Sequence, residues 1–447
     1  MELLTQMGTL TGSEVLLRNS RPMRILRHSD PDFASAVASL QRRAMPQPEV
    51  EQTVREIIAA VRERGDAAVI EFTKRFGGPA LTPQTLRVTT KTPKVDAVTQ
   101  RAIATAHANV RDFAARSLRQ DWSAKNAQGA HVGERFDPFD RVGIYVPGGT
   151  APLVSTAVMT VTLAAAAGVP EIVVATPADA SGRINDALLY ALRFAGATEI
   201  YAVGGAQAIA AMACGTETIR PVSKIFGPGN AYVVEAKRQV FGQVAIDLLP
   251  GPSEVLVLAD GSANAAWVAA DLLAQAEHGK GSSILFVTNS AKLLAAVESE
   301  IRAQLVTLTR QEHLAGVLET DCALVLVKTL REAVAITNDF APEHVAIVTK
   351  DDEKVAAQIR TAGAIFLGGY SAVAAGDFLA GPSHTLPTGG AGKSFPGLMS
   401  DMFQRRTSIV RLDEKSLRKS IETIATFSAL EGLDAHGRSA AIRLGLG

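Results

Sequence analysis

The sequence predicts an α/β protein built on two parallel sheets, each covered by helices on both faces. Three observations carry this. From Val142 onward, short β-branched runs alternate with Ala-rich stretches of helical spacing. The runs are continuously apolar, which is the pattern of strands buried on both sides between crossover helices. Ten of them fall between Gly143 and Leu367, more than one ordinary sheet holds.

The expected strands are 143–146, 171–175, 199–203, 223–226 and 244–248, then 255–258, 284–288, 323–327, 345–349 and 364–367. Helices are expected between them at 155–167, 185–194, 206–213, 231–240, 265–276, 291–305, 329–340 and 354–361. Upstream, Val54, Ile57, Ile58 and Val61 mark a helix over 50–64 that stops at Gly65. Asp66 is expected to cap a second helix, to 76, closed by Gly77-Gly78. A long amphipathic helix covers 95–118. Residues 1–45 read as an arm or short helices, with a first strand or an extended lead-in at 23–26. The chain beyond 380 is Gly- and Pro-rich to 397, then mixed, then helical from 415 to 429 and again to the end.

With 447 residues, Lys+Arg and Asp+Glu at 45 each and a pI near 7.1, the chain has no basic excess. Nucleic acid and membrane surfaces are therefore poor candidates for its main partner. Residues 1–22 carry Glu2 and lack a long apolar core, unlike a secretory signal. The uncharged stretch 142–170 opens with Pro147, Gly148, Gly149 and Pro152, and its 17-residue part 153–169 is short for a spanning helix. It reads as a buried helix behind a glycine loop. Cys214 and Cys322 lie in apolar segments and read as packing residues, and a reducing cytoplasm fits them.

The chemistry is expected at Ala341-Pro342-Glu343-His344. Pro342 should end the preceding helix and push Ala341 into extended geometry. Glu343 and His344 would then sit on a short, stiff connection at the edge of a sheet. Histidine suits proton removal near neutral pH, and a neighbouring carboxylate can share that work.

Three glycine loops follow strands and lead into helices: Val146-Pro147-Gly148-Gly149-Thr150, Gly204-Gly205-Ala206-Gln207 and Phe226-Gly227-Pro228-Gly229-Asn230. Such loops can present backbone N–H groups to a phosphate, although glycine after a strand serves tight turns as well. None completes G-x-G-x-x-G, because Tyr232 takes the last glycine position of the third. Gln275 and His278 lie three apart at a helix end, so they share a face. With Asp377, His384 and His436 they would suit zinc, or less specifically manganese or cobalt. Spacing alone does not establish that metal, since H-E-x-x-H is missing and glutamine is an unusual ligand.

Taken together, these residues resemble the histidinol dehydrogenase family. The resemblance runs from about Met23 to Leu444. It rests on the blocks 142–152, 204–210 and 224–230, then Gly251-Pro252-Ser253-Glu254-Val255-Leu256, Gln275-Ala276-Glu277-His278, 341–344 and Glu431-Gly432-Leu433-Asp434-Ala435-His436. It implies an intertwined homodimer with two incomplete Rossmann-like domains per subunit and smaller N- and C-terminal helical segments. The implied division is an arm at 1–45, a first α/β domain of 46–138 and 248–385, a second of 139–247, and a tail at 386–447 that enters the partner's site. The implied cofactors are NAD and one Zn2+ per subunit. Carried over by motif, Gln275, His278, Asp377 and His436 would hold zinc, and Glu343 and His344 would be the acid–base pair. Tyr145, Gln207 and Asn230 would meet NAD. Ser253, Gln275, His278, His344, Asp377, His384, Glu431 and His436 would meet L-histidinol, oxidised through L-histidinaldehyde to L-histidine. A relative acting on another small alcohol is the alternative, and an imidazole-and-amine substrate suits the ligand set better. The chain departs from the family pattern at Gly279-Lys280-Gly281, at Ser383 and Thr385, and over 391–396.

Overall fold

The computed structural model describes residues 23–41, 47–148 and 152–446. The expectations for residues 1–22, and for the loop 149–151, lie outside the described residues. In chain order the strands are β1 (Arg24–Arg27), β2 (Trp122–Lys125), β3 (His131–Pro138), β4 (Arg141–Tyr145), β5 (Glu171–Ala175), β6 (Glu199–Tyr201) and β7 (Lys224–Phe226). They continue as β8 (Ala245–Ile246), β9 (Glu254–Ala259), β10 (Ser283–Thr288), β11 (Cys322–Leu326), β12 (His344–Val348), β13 (Ala364–Leu367) and β14 (Gln404–Arg411).

All ten expected strands form, and they divide between two parallel sheets. One runs β6-β5-β4-β7-β8 and the other β1-β11-β10-β9-β12-β13. Numbered within each half, both follow the order third, second, first, fourth, fifth, with β1 added beside β11 in the larger sheet. That order places a topological switch between the first and fourth strands, where doubly wound sheets open a crevice for ligands. The switch lies between β4 and β7 in the smaller sheet and between β9 and β12 in the larger.

Helices cover both faces of each sheet because each presents one apolar stripe. Val54, Ile57 and Val61 of Pro48–Arg64 pack with Phe72, Ile209 and Val233 on one face of the smaller sheet. Helices Ala97–Ser117, Val154–Ala166 and Asp186–Ala195 cover its other face. The larger sheet is sandwiched in the same way, by Ala265–Ala276 and Ala291–Leu305 on one face and Leu330–Phe340 on the other. The uncharged stretch becomes β4 and the buried helix Val154–Ala166, and no helix among the described residues is long and apolar enough to cross a membrane. Both cysteines are unpaired thiols, Cys322 buried and Cys214 half-buried.

Two sequence expectations need correction, and one sheet lies outside them. Gly65, not Asp66, is the residue before the second helix; Asp66 is its first residue, buried, and its carboxylate accepts from the Thr218 hydroxyl. The expected grouping of 46–138 with 248–385 is not how the cores divide, since the helices over 48–117 pack on the smaller sheet. A third, antiparallel sheet, β14-β3-β2, was not foreseen. It ties the C-terminal segment back by pairing Gln404 with Pro138 through to Arg411 with His131.

At the amino rim of the smaller sheet, buried Arg141 on β4 donates to Glu171 on β5 at 2.7 Å and to Glu199 on β6 at 2.9 and 3.0 Å. The Arg141 hydrogen bonds hold the Glu199 carboxyl down to about 2. A carboxyl so depressed stabilises the fold above its unfolded pKa, and that contribution is lost as pH falls through the folded one. Arg141→Met, which leaves Glu199 the Tyr201 hydroxyl and the more distant Arg220 and Arg87, is expected to cost about 2 kcal/mol at neutral pH. Urea unfolding should show the gap between variant and parent narrowing as pH drops from about 4.5 toward 2.

Candidate active site

Helix Leu330–Phe340 ends where Pro342 forbids another turn. Ala341 is not extended as expected. It closes the helix in the left-handed region at φ 51°, ψ 65°, with its N–H donating to the Thr337 carbonyl at 2.9 Å. It is the one non-glycine residue with positive φ among the described residues, and it is fully buried. The capping bond and the enclosure outweigh the steric cost of that region, which for alanine is of the order of 1 kcal/mol. The reversal aims Glu343 and His344 at the amino rim of the larger sheet. His344 begins β12, and β12 is hydrogen-bonded on both sides, to β9 and β13, so the pair sits at a strand's end rather than on a marginal strand.

Glu343 and His344 are both buried and both are held by β9. The Glu343 carboxylate accepts from the Ser253 hydroxyl at 2.7 Å and from the Glu254 N–H at 2.8 Å. The His344 Nδ1 lies 3.0 Å from the Glu254 carbonyl. A carbonyl only accepts, so Nδ1 carries the proton and Nε2 is the nitrogen free to exchange one. That Nε2 faces Asp377 at 3.5 Å. Burial pushes the Glu343 carboxyl above the ordinary carboxylate range. Burial also works against the His344 imidazolium, but the Glu343 and Asp377 carboxylates outweigh it and raise its pKa. Glu254 was not among the expected site residues. Its side chain is buried, accepts from Gly389 N–H at 2.8 Å and, more weakly, from Glu343 N–H at 3.4 Å. The signal was present in the sequence: a glutamate opening an otherwise apolar strand must be paired or bonded when buried.

Asp377, on helix Val373–Phe378, lies close enough to His344, His384 and His278 for all three to depress its pKa against the opposing effect of burial. His384 donates from Nδ1 to the Asp377 carbonyl at 2.9 Å and accepts at Nε2 from the Thr156 hydroxyl at 3.0 Å. Thr156 belongs to the helix behind the first glycine loop, so this bond joins the two halves of the molecule at the site. The unusual neighbours Ser383 and Thr385 take no part in it. Gln275 is buried on the last turn of Ala265–Ala276, and its side-chain Nε2 has no hydrogen-bond partner. Amide N and O exchange by a half-turn, so this orphaned atom can become an unmatched oxygen donor. With the His278 imidazole one turn on and the Asp377 carboxylate, it makes a donor set that fits a zinc-like cation.

The remaining expected ligands are elsewhere. Glu431 ends helix Glu414–Glu431 and His436 lies on Asp434–Ala441, both exposed. Among the described residues no three His, Cys, Asp or Glu side chains form a complete metal-holding group. These two helices pack chiefly on each other, and Phe427, Leu430 and, in the 3-10 turn that follows, Ile442 are exposed.

The three residues expected to meet a dinucleotide line one cavity of about 390 Å³ at the carboxyl ends of β4, β6 and β7. The Tyr145 hydroxyl accepts from Gly205 N–H at 3.0 Å. Buried Gln207 donates to Thr73 at 3.4 Å and leaves its own oxygen unpartnered. Asn230 caps its helix by accepting from Tyr232 and Val233 N–H, each at 3.1 Å. It also borders a larger groove of about 1120 Å³ that reaches His278. Asn230 thus borders both spaces, one lined by nucleotide-type loops and the other reaching His278 of the metal-type donors.

A buried acid–base pair beside donors that fit a cation, together with a dinucleotide-type crevice on the other sheet, is the equipment of a dehydrogenase. The comparisons with known proteins name it further. Residues 40–444 match the histidinol dehydrogenase family. The chain is similar to the histidinol dehydrogenase of Geobacillus kaustophilus (strain HTA426), with 46% identity over 89% of this chain and 94% of that protein. It is also similar to that of Brucella abortus (strain 2308), with 42% identity over 94% and 99%. The crystal structure of the Elizabethkingia anophelis histidinol dehydrogenase superimposes with a TM-score of 0.90 at 34% identity, covering 95% of this chain and 98% of that one. The chain belongs to the histidinol dehydrogenase family.

Proposed function

We propose that this chain oxidises L-histidinol through L-histidinaldehyde to L-histidine in the cytoplasm, closing histidine biosynthesis. The observation that carries the reading is the buried Glu343–His344 pair fixed on Glu254, with Asp377 and His278 beside it. Bound NAD supplies the hydride acceptor for each oxidation, and bound zinc supplies an anchor for the imidazole nitrogen and amine of histidinol. Gln275, His278 and Asp377, with His436, would hold that zinc. Tyr145, Gln207 and Asn230 would hold NAD.

His344 takes the hydroxyl proton at Nε2 in the first oxidation, while its Nδ1–H stays on the Glu254 carbonyl. Water then adds to the aldehyde carbonyl. Glu343, with its pKa raised by burial, takes the proton from that water, and His344 returns its Nε2 proton to the carbonyl oxygen, which leaves its Nε2 free again. His344 removes a hydroxyl proton of the hydrate in the second oxidation. Ser253 and His384 orient the substrate, and Glu431 meets its amine or imidazole N–H.

Two NADH per histidinol consumed is the expected stoichiometry; a ratio of one would sink the two-step reading. His344→Asn should slow oxidation of both histidinol and histidinaldehyde by about 10²-fold or more, the reach of general acid–base catalysis. Glu343→Gln should mainly slow the aldehyde step. Equal loss on both substrates would refute the separation of roles.

Chelation should remove one zinc per subunit and all activity, and added zinc should restore both. The circular dichroism spectrum should barely change, because two large sheets do not depend on one ion. A fully active preparation shown by metal analysis to be zinc-free would overturn the assignment.

The chain works as a homodimer in which each C-terminal tail completes the partner's site. Glu431 and His436 lie on an exposed helix pair whose apolar side chains lack cover from their own chain, which supports this reading. Dimers carrying His344→Ala in one subunit and His436→Ala in the other, purified with two tags, should keep about one working site in two, because a twofold puts both lesions in one site. Activity no higher than either parent would rule out the shared site.

A further inference from the structure

A fully buried ion pair, Lys237 with Asp247, lies outside the acid–base machinery. Lys237 and Asp247 have side chains with 0% exposure and bond to each other. Lys237 comes from helix Ala231–Val240, and Asp247 directly follows β8. Burying two charges gives little net stability, since apolar side chains of similar volume fill such space as well or better. What charge adds is direction, and both groups spend it on a single residue. Asp247 accepts from the Gly227 N–H at 2.8 Å, and Lys237 Nζ donates to the Gly227 carbonyl at 2.9 Å.

Gly227 stands at the switch point of the smaller sheet. Its φ of +109° suits glycine, and a Cβ there would lie 2.1 Å from the Tyr145 carbonyl oxygen on β4. The first residue of the loop is thus pressed onto the neighbouring strand and gripped at both of its polar backbone groups. Three residues later comes Asn230. Its Oδ1 is committed to capping the helix that carries Lys237. The loop is therefore closed at both ends, by the clamp at Gly227 and by the cap at Asn230.

We propose that Lys237 and Asp247 are positioning residues for the cofactor loop 227–230, presetting it for NAD before the cofactor arrives. This rests on the reading of that loop as cofactor-binding. A preset loop spares the ordering cost of binding, so loss of the clamp falls on cofactor affinity and not on the chemistry or on histidinol.

The paired substitution Lys237→Met with Asp247→Leu removes both charges together, so neither is left buried alone. In the zinc-loaded protein, NADH titrated by fluorescence should bind about tenfold more weakly, the scale of one or two lost hydrogen bonds. The KM for NAD should rise in step, while the KM for histidinol and the zinc content stay within about twofold. Lys237→Met with Asp247→Asn, which restores an acceptor for the Gly227 N–H, should recover part of the affinity. Unchanged NADH binding in the folded double variant, beside weakened binding in Asn230→Ala, would overturn the clamp alone. Unchanged binding in Asn230→Ala, or no NADH binding by the parent protein, would overturn the cofactor reading and the clamp with it. Hydrogen exchange of the parent protein tests the same idea if the double variant does not fold. The Gly227 amide should already be strongly protected without NAD, and exchange within seconds until NAD is added would refute a preset loop.

Discussion

The site depends on the backbone of one residue, Glu254 at the start of β9. In an interior strand, backbone N–H and C=O groups ordinarily bond to the neighbouring strand. Here the Glu254 N–H goes to the Glu343 carboxylate and its carbonyl to the His344 ring. The ladder between β9 and β12 is continued past its last backbone rung by side chains. That is why the acid–base pair can be buried without becoming unsatisfied polar groups, and why its two members are fixed relative to each other. The cost of dehydrating a carboxylate remains, and it appears as the raised pKa of Glu343.

Two sheets of the same strand order are used at opposite rims. The smaller offers the carboxyl ends of β4, β6 and β7, where loops ending in glycine open a cavity. The larger offers the amino ends of β9 and β12, where the next side chains are Ser253 and the Glu343–His344 pair. An anion-binding loop is naturally a strand-to-helix turn, because helix N-termini point that way. The amino rim has no such excess of N–H donors, which suits a place for acid–base groups and a cation. The Thr156–His384 bond spans the two rims and fixes one half against the other.

Much of this was legible in the sequence. The ten interior strands announce themselves because both faces are apolar, leaving no ambiguity of period. β2, β3 and β14 do not. β2 and β14 are largely exposed and β3 is mostly half-buried, and the β3–β14 pairing joins segments about 270 residues apart, which local patterning cannot register. Asp66 looked like a cap because its side chain is of the capping type, but a long-range partner, Thr218, claims it. Among the proposed site residues, the adjacent Glu343 and His344 and the helical spacing of Gln275 and His278 could be read directly. Glu254 was passed over because its position in an apolar strand hides what its backbone does. For Glu431 and His436 the sequence shows the motif but not the distance, and within one chain they stay on the outside.

Ala341 carries a consequence for how firmly the acid–base pair is held. A left-handed residue at a helix end is usually glycine, which reaches that region without steric cost. Glycine also reaches every other region, so a glycine there would let the segment before Pro342 sample many directions whenever local packing loosened. Alanine pays a small steric toll in the native backbone and in return narrows the unfolded and partly opened ensembles. Proline at the next position narrows them again. The two residues leading into Glu343 and His344 are thus among the least freely jointed pairs a turn can be made from, and the turn's rigidity comes from covalent structure as much as from its surroundings.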